Sequence, residues 1–135
     1  MFDPKSFLDL AENLKDPKKD NLFESKVRTS VGRSYYSVFL TTRAKIERIT
    51  GKDLEKKNSS HEIIINRLKV SSNTELAEFG SDLDSLRTYR RTADYVTKIS
   101  LQQGVAESAF KLAKELLENL KNLPQDVLQS EFKSI

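Results

Sequence analysis

The chain has no cysteine, one histidine, four glycines and three prolines in 135 residues. Without cysteine there is no disulfide framework, no thiolate metal site and no cysteine nucleophile. A lone histidine leaves no zinc-finger ligand set, so neither a metal nor a cofactor is expected. A nucleophile–base–acid triad has no choice of imidazole, and no glycine-rich phosphate loop is present. No apolar run approaches the roughly 18 residues needed to cross a bilayer. The start, Met1-Phe2-Asp3-Pro4-Lys5, lacks the basic and apolar regions of a signal peptide. A soluble, cytoplasmic protein with no membrane partner is therefore expected. Lysine plus arginine is 23 against 20 acidic residues, a net charge of +3, which permits a nucleic-acid partner without arguing for one.

What the chain does have is helical periodicity. Scarce glycine and proline let helices run long, and 135 residues suffice for one domain with its own core. Asp3-Pro4 reads as an N-cap and first helical residue ahead of Phe7, Leu8, Leu10, Ala11 and Leu14. The turn Asp16-Pro17-Lys18-Lys19-Asp20 ends that helix. Phe23, Val27, Val31, Tyr35, Val38, Thr42, Ile46 and Ile49 then recur at helical spacing up to Gly51, a natural stop. Lys52 to Asn58 is a charged, polar connector. Three Ser-x-x-Glu/Gln pairs, Ser59 with Glu62, Ser72 with Glu75 and Ser100 with Gln103, each head an apolar period, as capping boxes do. The expected fold is all-α: an antiparallel bundle of four to five helices, near residues 4–15, 21–50, 59–70, 73–95 and 101–122, with one long central helix. Pro124 closes the last of these, and residues 124–135 read as a short helix or loose C-terminal tail.

Two positions break the simple inside–outside pattern. The long helix carries a core stripe through Val27, Val31, Val38 and Ile49. Its other side holds Arg33, Tyr36, Ser37, Leu40 and Ala44, a semi-apolar second stripe. Such a helix is either central in its bundle or part of an oligomer interface. The second break is on the helix of Leu76, Phe79, Leu83 and Leu86, where the next core position is Arg90. A guanidinium there needs a carboxylate, an interface or a wet cleft. Arg87 and Arg91 flank it, and Asp94 is one turn on. The bland alternative for the flanking pair is a solvated basic patch at a helix C-terminus. Arg33, partly desolvated, is expected to pair with Asp94 across helices, leaving Arg90 in a cleft to meet a phosphate or a carboxylate. His61, beside a capping serine, reads first as a half-exposed residue of a helix start.

Three segments carry a family resemblance. Arg28-Thr-Ser-Val-Gly-Arg33-Ser-Tyr35-Tyr36-Ser-Val-Phe39 resembles the signature of small stand-alone prokaryotic HEPN domains. Ser60-His61-Glu62 resembles the Ser/Thr-His step that opens the family's next helix. Leu86 to Tyr95, ending Arg90-Arg91-Thr92-Ala93-Asp94-Tyr95, is similar to its L-x-x-x-R-N-x-A-D-Y segment. The resemblance implies a four- or five-helix domain over residues 1–123, commonly dimeric, in toxin–antitoxin or defence systems, often with a nucleotidyltransferase partner. Active relatives place a histidine a few positions after the arginine. Here those positions hold Tyr95, Val96 and Thr97, so efficient RNA cleavage, and hence an enzyme, is not expected.

The expectation is thus a HEPN-like module that binds RNA, a nucleotide or a partner protein such as a nucleotidyltransferase antitoxin. Its binding residues would be Arg33, Tyr36, Arg87, Arg90, Arg91, Asp94 and Tyr95. The alternatives are a metal-independent RNase toxin that uses Arg90 with a non-standard partner, for which His61 is the candidate, and a structural oligomerisation domain. A homodimer with some of Tyr36, Leu40, Arg87 and Tyr95 at its interface is expected from the second stripe and the family habit.

Overall fold

The long apolar period between Leu22 and Gly51 organises the molecule. The computed structural model describes residues 1–57 and 59–135; Asn58, at the end of the expected polar connector, lies outside them. The described residues form α1 (Ser6–Leu14), α2 (Phe23–Thr50), α3 (Ser60–Lys69), α4 (Thr74–Tyr95), α5 (Gln103–Lys121) and α6 (Gln125–Phe132), with no strand among them. None of these helices is long and apolar enough to cross a membrane.

α2 runs 28 residues without a break. Val27, Val31 and Val38 are fully buried on one side, and Ser30, Ser34 and Ser37 are fully buried on another. The small side chains let neighbours come close: the Ser30 hydroxyl donates to the Ala11 carbonyl of α1 at 2.7 Å. Its two stripes therefore make α2 the centre of the bundle, flanked by α1, α4, α5 and α6. Gly51 ends it in the left-handed conformation (φ 73°), its N–H donating to Glu47 O, which a glycine reaches without strain.

Cross-contacts fix the directions. Ala11 meets Ser30 and Phe7 meets Arg33, so α1 runs against α2. Ala93 meets Arg28 and Arg90 meets Tyr36, so α4 also runs against it. α5 follows α4 and is parallel to α2, with Leu101 near Glu24 and Leu120 near Lys45. α3 lies close on α4 because Gly80 lacks a side chain: a Cβ there would sit 2.6 Å from the Lys69 backbone nitrogen.

The helix starts differ in detail from the expected serine caps. Asn73 caps α4, its Oδ1 accepting the Leu76 N–H at 3.1 Å, while Ser71 Oγ accepts from Asn73 N. Ser59 is left-handed (φ 63°) and its side chain makes no cap bond, because a capping hydroxyl needs an extended backbone to reach the first turn. Gln102 precedes α5, again without a side-chain cap. Asp3 caps a turn ahead of α1, accepting from Lys5 N at 3.0 Å, so the helix itself starts later than Pro4. Residues 124–135 supply a sixth helix, whose Leu128 and Phe132 are each 1% exposed in the common core.

Candidate functional site

His61 sits in the first turn of α3 and faces aromatic side chains of α2. Tyr35 and Phe39, four residues apart, lie on one side of α2 by helical geometry. The imidazole stacks on Phe39 with centroids 3.9 Å apart and planes 7° from parallel. Its Nδ1 is 2.6 Å from the Tyr35 hydroxyl. That buried phenol has no other hydrogen-bond partner among the described residues, so its proton is satisfied by donating to Nδ1. The ring proton then resides on Nε2. Burial pushes the Tyr35 hydroxyl well above its ordinary range, keeping it protonated. Burial, and then the charges of Arg87, Arg90, Arg43 and Arg91, bring His61 down to about 4. At neutral pH the histidine is therefore an uncharged donor inside a basic cluster.

The cluster comes from two helices. α4 brings Arg87 and, about one turn on, the adjacent Arg90 and Arg91, and α2 brings Arg43, whose guanidinium lies 5.9 Å from the Phe39 ring. Arg90 continues the stripe of Leu76, Phe79, Leu83 and Leu86, all buried, and its own side chain is 17% exposed. Its Nε lies 2.8 Å from Asp94 Oδ2, an ion-pair contact without hydrogen-bond alignment, so the Nε proton is buried and unused. The guanidinium stacks between Tyr36 (5.3 Å) and Tyr95 (5.2 Å), within the range of a cation–π contact. Arg87 Nε is likewise buried without a partner. Arg43 reaches Glu55 only at 3.5 Å, and that carboxylate is mostly exposed. Among the described residues, Arg87 and Arg91 have no carboxylate within ion-pair distance. The face thus carries more positive than negative charge.

The residues expected at the site do converge, with one correction. Tyr36, Arg87, Arg90, Arg91, Asp94 and Tyr95 gather on the α2–α4 face, Arg91 and Tyr95 exposed and the first three half-buried. The expected ion pair between Arg33 and Asp94 is not formed. Arg33 stacks on Phe7 (4.6 Å) and Tyr36 (5.2 Å), and Asp94 pairs with Arg90 of its own helix. The physical reason is supply: the ring faces of Phe7 and Tyr36 attract the Arg33 guanidinium, while Asp94, one helical turn from Arg90, meets the Arg90 guanidinium with no chain to cross. Asp94 still approaches α2, where a Cβ on Gly32 would lie 3.7 Å from its Oδ1. His61 is not a simple cap residue, since its ring faces the cluster.

Four contributors were not singled out as site residues by the sequence. Tyr35 and Phe39 carried an i, i+4 aromatic spacing, which only marks them as neighbours. Arg43 had no signal. Arg28, within the quoted signature, turns out to hold the end of α4. Its Nη1 donates to Thr92 O (3.3 Å), Ala93 O (3.0 Å) and Val96 O (2.7 Å), and its Nη2 to Ile99 O (2.7 Å). Glu24 takes its Nε at 2.9 Å and also accepts the Leu101 N–H, and these bonds, Arg28 first, hold its carboxyl below the usual range. The clamp satisfies helix-end carbonyls that would otherwise need water and fixes the turn that carries Arg90, Arg91, Asp94 and Tyr95.

Among known proteins, a family model described as HEPN domain matches residues 5–123, from the turn before α1 to the end of α5. No curated protein and no solved structure matches the chain.

Proposed function

The chain belongs to the HEPN domain family, linked in general to RNA binding or nuclease activity and to toxin–antitoxin or defence roles, and from that premise we propose that its α2–α4 face binds RNA without cleaving it efficiently. The observation that carries this reading is the uncompensated charge of Arg87 and Arg91 beside Arg90 and a neutral His61. Guanidinium forks suit phosphodiester oxygens, and the Nε2–H of His61 adds a neutral donor. Tyr95, 68% exposed, and Tyr36 offer rings on which unpaired bases stack. Weak catalysis follows from two features. The positions after Arg90 that hold a histidine in active relatives hold Tyr95, Val96 and Thr97. The nitrogen of His61 with a free lone pair is the one that Tyr35 already occupies.

Titration of labelled single-stranded RNA by fluorescence anisotropy over a salt series tests the reading. Wild-type affinity should fall with salt, by a slope of about 0.7 per phosphate neutralised. Arg87→Ala and Arg91→Ala should each weaken binding whatever the sequence and flatten that slope. Salt-independent binding, or variants that bind as wild type, would overturn it.

A second reading has one observation behind it. His61 and Arg90 share a cluster although nearly thirty residues separate them, so an RNase using that pair in place of the family's usual spacing is a defined alternative. RNA cleavage that disappears in both Arg90→Ala and His61→Ala would establish it.

We further propose a homodimer with some of Tyr36, Leu40, Arg87 and Tyr95 at or near its interface, a reading supported by the second stripe of α2 and by family membership. Light scattering at concentrations on the order of tens of micromolar should return twice the chain mass, and a monomer there would exclude it. A nucleotidyltransferase-type partner, and a cytoplasmic toxin–antitoxin or defence setting, rest on family membership alone. Co-purification of such a protein on co-expression is their check.

A further inference from the structure

A second cationic region lies apart from the His61 face, on the side of α2 that α5 and the start of α1 cover. We propose that the groove between α1, α2, α5 and the start of α6 binds a small, multiply charged phosphate-type oxyanion.

The groove encloses about 440 Å³, within the range of roughly 300–1,000 Å³ typical of small-ligand sites. Lys5, Lys45, Arg48 and Lys121 line it against a single carboxylate, Asp3. Lys121 also lies 3.2 Å from Glu118, but both side chains are mostly exposed and that pairing is weak. The decisive group is Lys45, which is only 8% exposed. Its ammonium donates one hydrogen bond, to the Leu120 carbonyl at the end of α5. An ammonium carries three donors, so two are unfilled in the described structure. No carboxylate lies within ion-pair distance of it among the described residues, and the like-charged Arg48 follows three residues on along α2. Burial and then the charge of Arg48 lower its pKa. A shielded cation without a counter-charge is costly, and an anion in the groove would supply the missing partner.

The chemistry favours a compact polyvalent ion. Lys45 and Arg48 are three residues apart and share one side of α2, while Lys5 and Lys121 come from the opposite walls. One phosphate-sized ion can engage several of these donors at once, whereas a nucleic-acid strand needs a track of charges along its backbone. Gln125, the first residue of α6, also lines the groove.

Inorganic tripolyphosphate is a direct probe, read by calorimetric titration and thermal unfolding of the full chain at constant ionic strength. The wild type should bind it saturably and gain melting temperature with concentration. Arg48→Gln, a change at an exposed position that should leave folding intact, and Lys45→Met, which keeps the aliphatic stem, should each lose tenfold or more in affinity. Lys18→Ala, an exposed position in the turn after α1 and outside both cationic regions, should bind as wild type. An equal thermal gain from sodium chloride at matched ionic strength would overturn the proposal. So would unchanged binding in Arg48→Gln, or loss in Arg87→Ala alone, which would move the ion to the His61 face. RNA binding that depends on Arg48 without any binding of tripolyphosphate would likewise reject it and make the groove part of an RNA track. The RNA reading of the α2–α4 face stands or falls separately, on Arg87 and Arg91.

Discussion

Arg28 and Arg90 reach the same end of α4 and are used in opposite ways. Every nitrogen of the Arg28 guanidinium is engaged, by Glu24 and by four backbone carbonyls of the α4 terminus and the turn beyond it. One turn away, Arg90 has a single carboxylate without hydrogen-bond alignment, two rings and a 3.3 Å contact to the Tyr95 hydroxyl, and Arg87 beside it has a buried unpaired Nε. Burial does not separate them, since the side chains of Arg28 and Arg90 are both 17% exposed. What separates them is saturation of donors. A guanidinium whose donors all end on the protein is a structural clamp. One whose donors are spare, beside like charges, is poised for an anion that the protein does not provide.

The strongest way to break that comparison is to remove the clamp. Arg28→Ala orphans several helix-end carbonyls and the Glu24 carboxylate, and should cost about 3 kcal/mol of stability. Urea unfolding measures the loss, and hydrogen exchange should show the turn 96–101 opening first. An equal loss in Arg90→Ala would erase the distinction between the two arginines.

The next effect is on pH. The folded pKa of His61, about 4, lies below the 6.5 of an unstructured histidine. As pH falls from about 6.5 to about 4, the unfolded chain takes up a proton that the folded chain refuses. The contribution of this residue to stability is therefore present at neutral pH and is lost across that window. After allowance for the ring's partial exposure, the change is about 2 kcal/mol. His61→Gln should flatten the profile of stability between those limits. An unchanged profile would place the ring in a wetter setting than the Phe39 stack implies.

A smaller effect sharpens the comparison from the other side. Arg87→Ala and Arg91→Ala should change stability by less than about 0.5 kcal/mol while reducing RNA affinity, the reverse of Arg28→Ala. Parallel unfolding and anisotropy measurements would show the split. An effect of opposite sign on stability is expected at Gly32, beside Asp94. A Cβ there makes an ordinary 3.7 Å contact with Asp94 Oδ1, so Gly32→Ala should stabilise by about 0.5–1 kcal/mol through helix propensity. A loss instead would mean that the α2–α4 approach is tighter than this spacing.

Much of the architecture was legible because it is local. Val27, Val31 and Val38 declare the long helix by spacing, Gly51 ends it, and Leu76, Phe79, Leu83 and Leu86 point at Arg90 as an arginine out of place. The Arg90–Asp94 contact is an i, i+4 pair whose spacing is visible in the sequence, although the sequence reading gives Asp94 to Arg33 instead. Three things were beyond reach. Arg33 meets Phe7 rather than Asp94, because sequence does not reveal that α1 lays that ring over it. The serine boxes marked the right regions, but Asn73 took the role of cap that Ser72 was expected to fill. Lys45 looked like any lysine of a polar helix face until α5 closed over it.

Periodicity and the run of each helix were set by the sequence alone, since they depend on residues within a turn or two of each other. Tertiary structure alone decided which polar groups are left unsatisfied. Tyr35 meets His61 across 26 residues, Arg28 meets Ile99 across 71 and Lys45 meets Leu120 across 75. A hydrogen bond is short and directional, so whether a donor is spent or spare is settled only when packing brings an acceptor within about 3 Å of it.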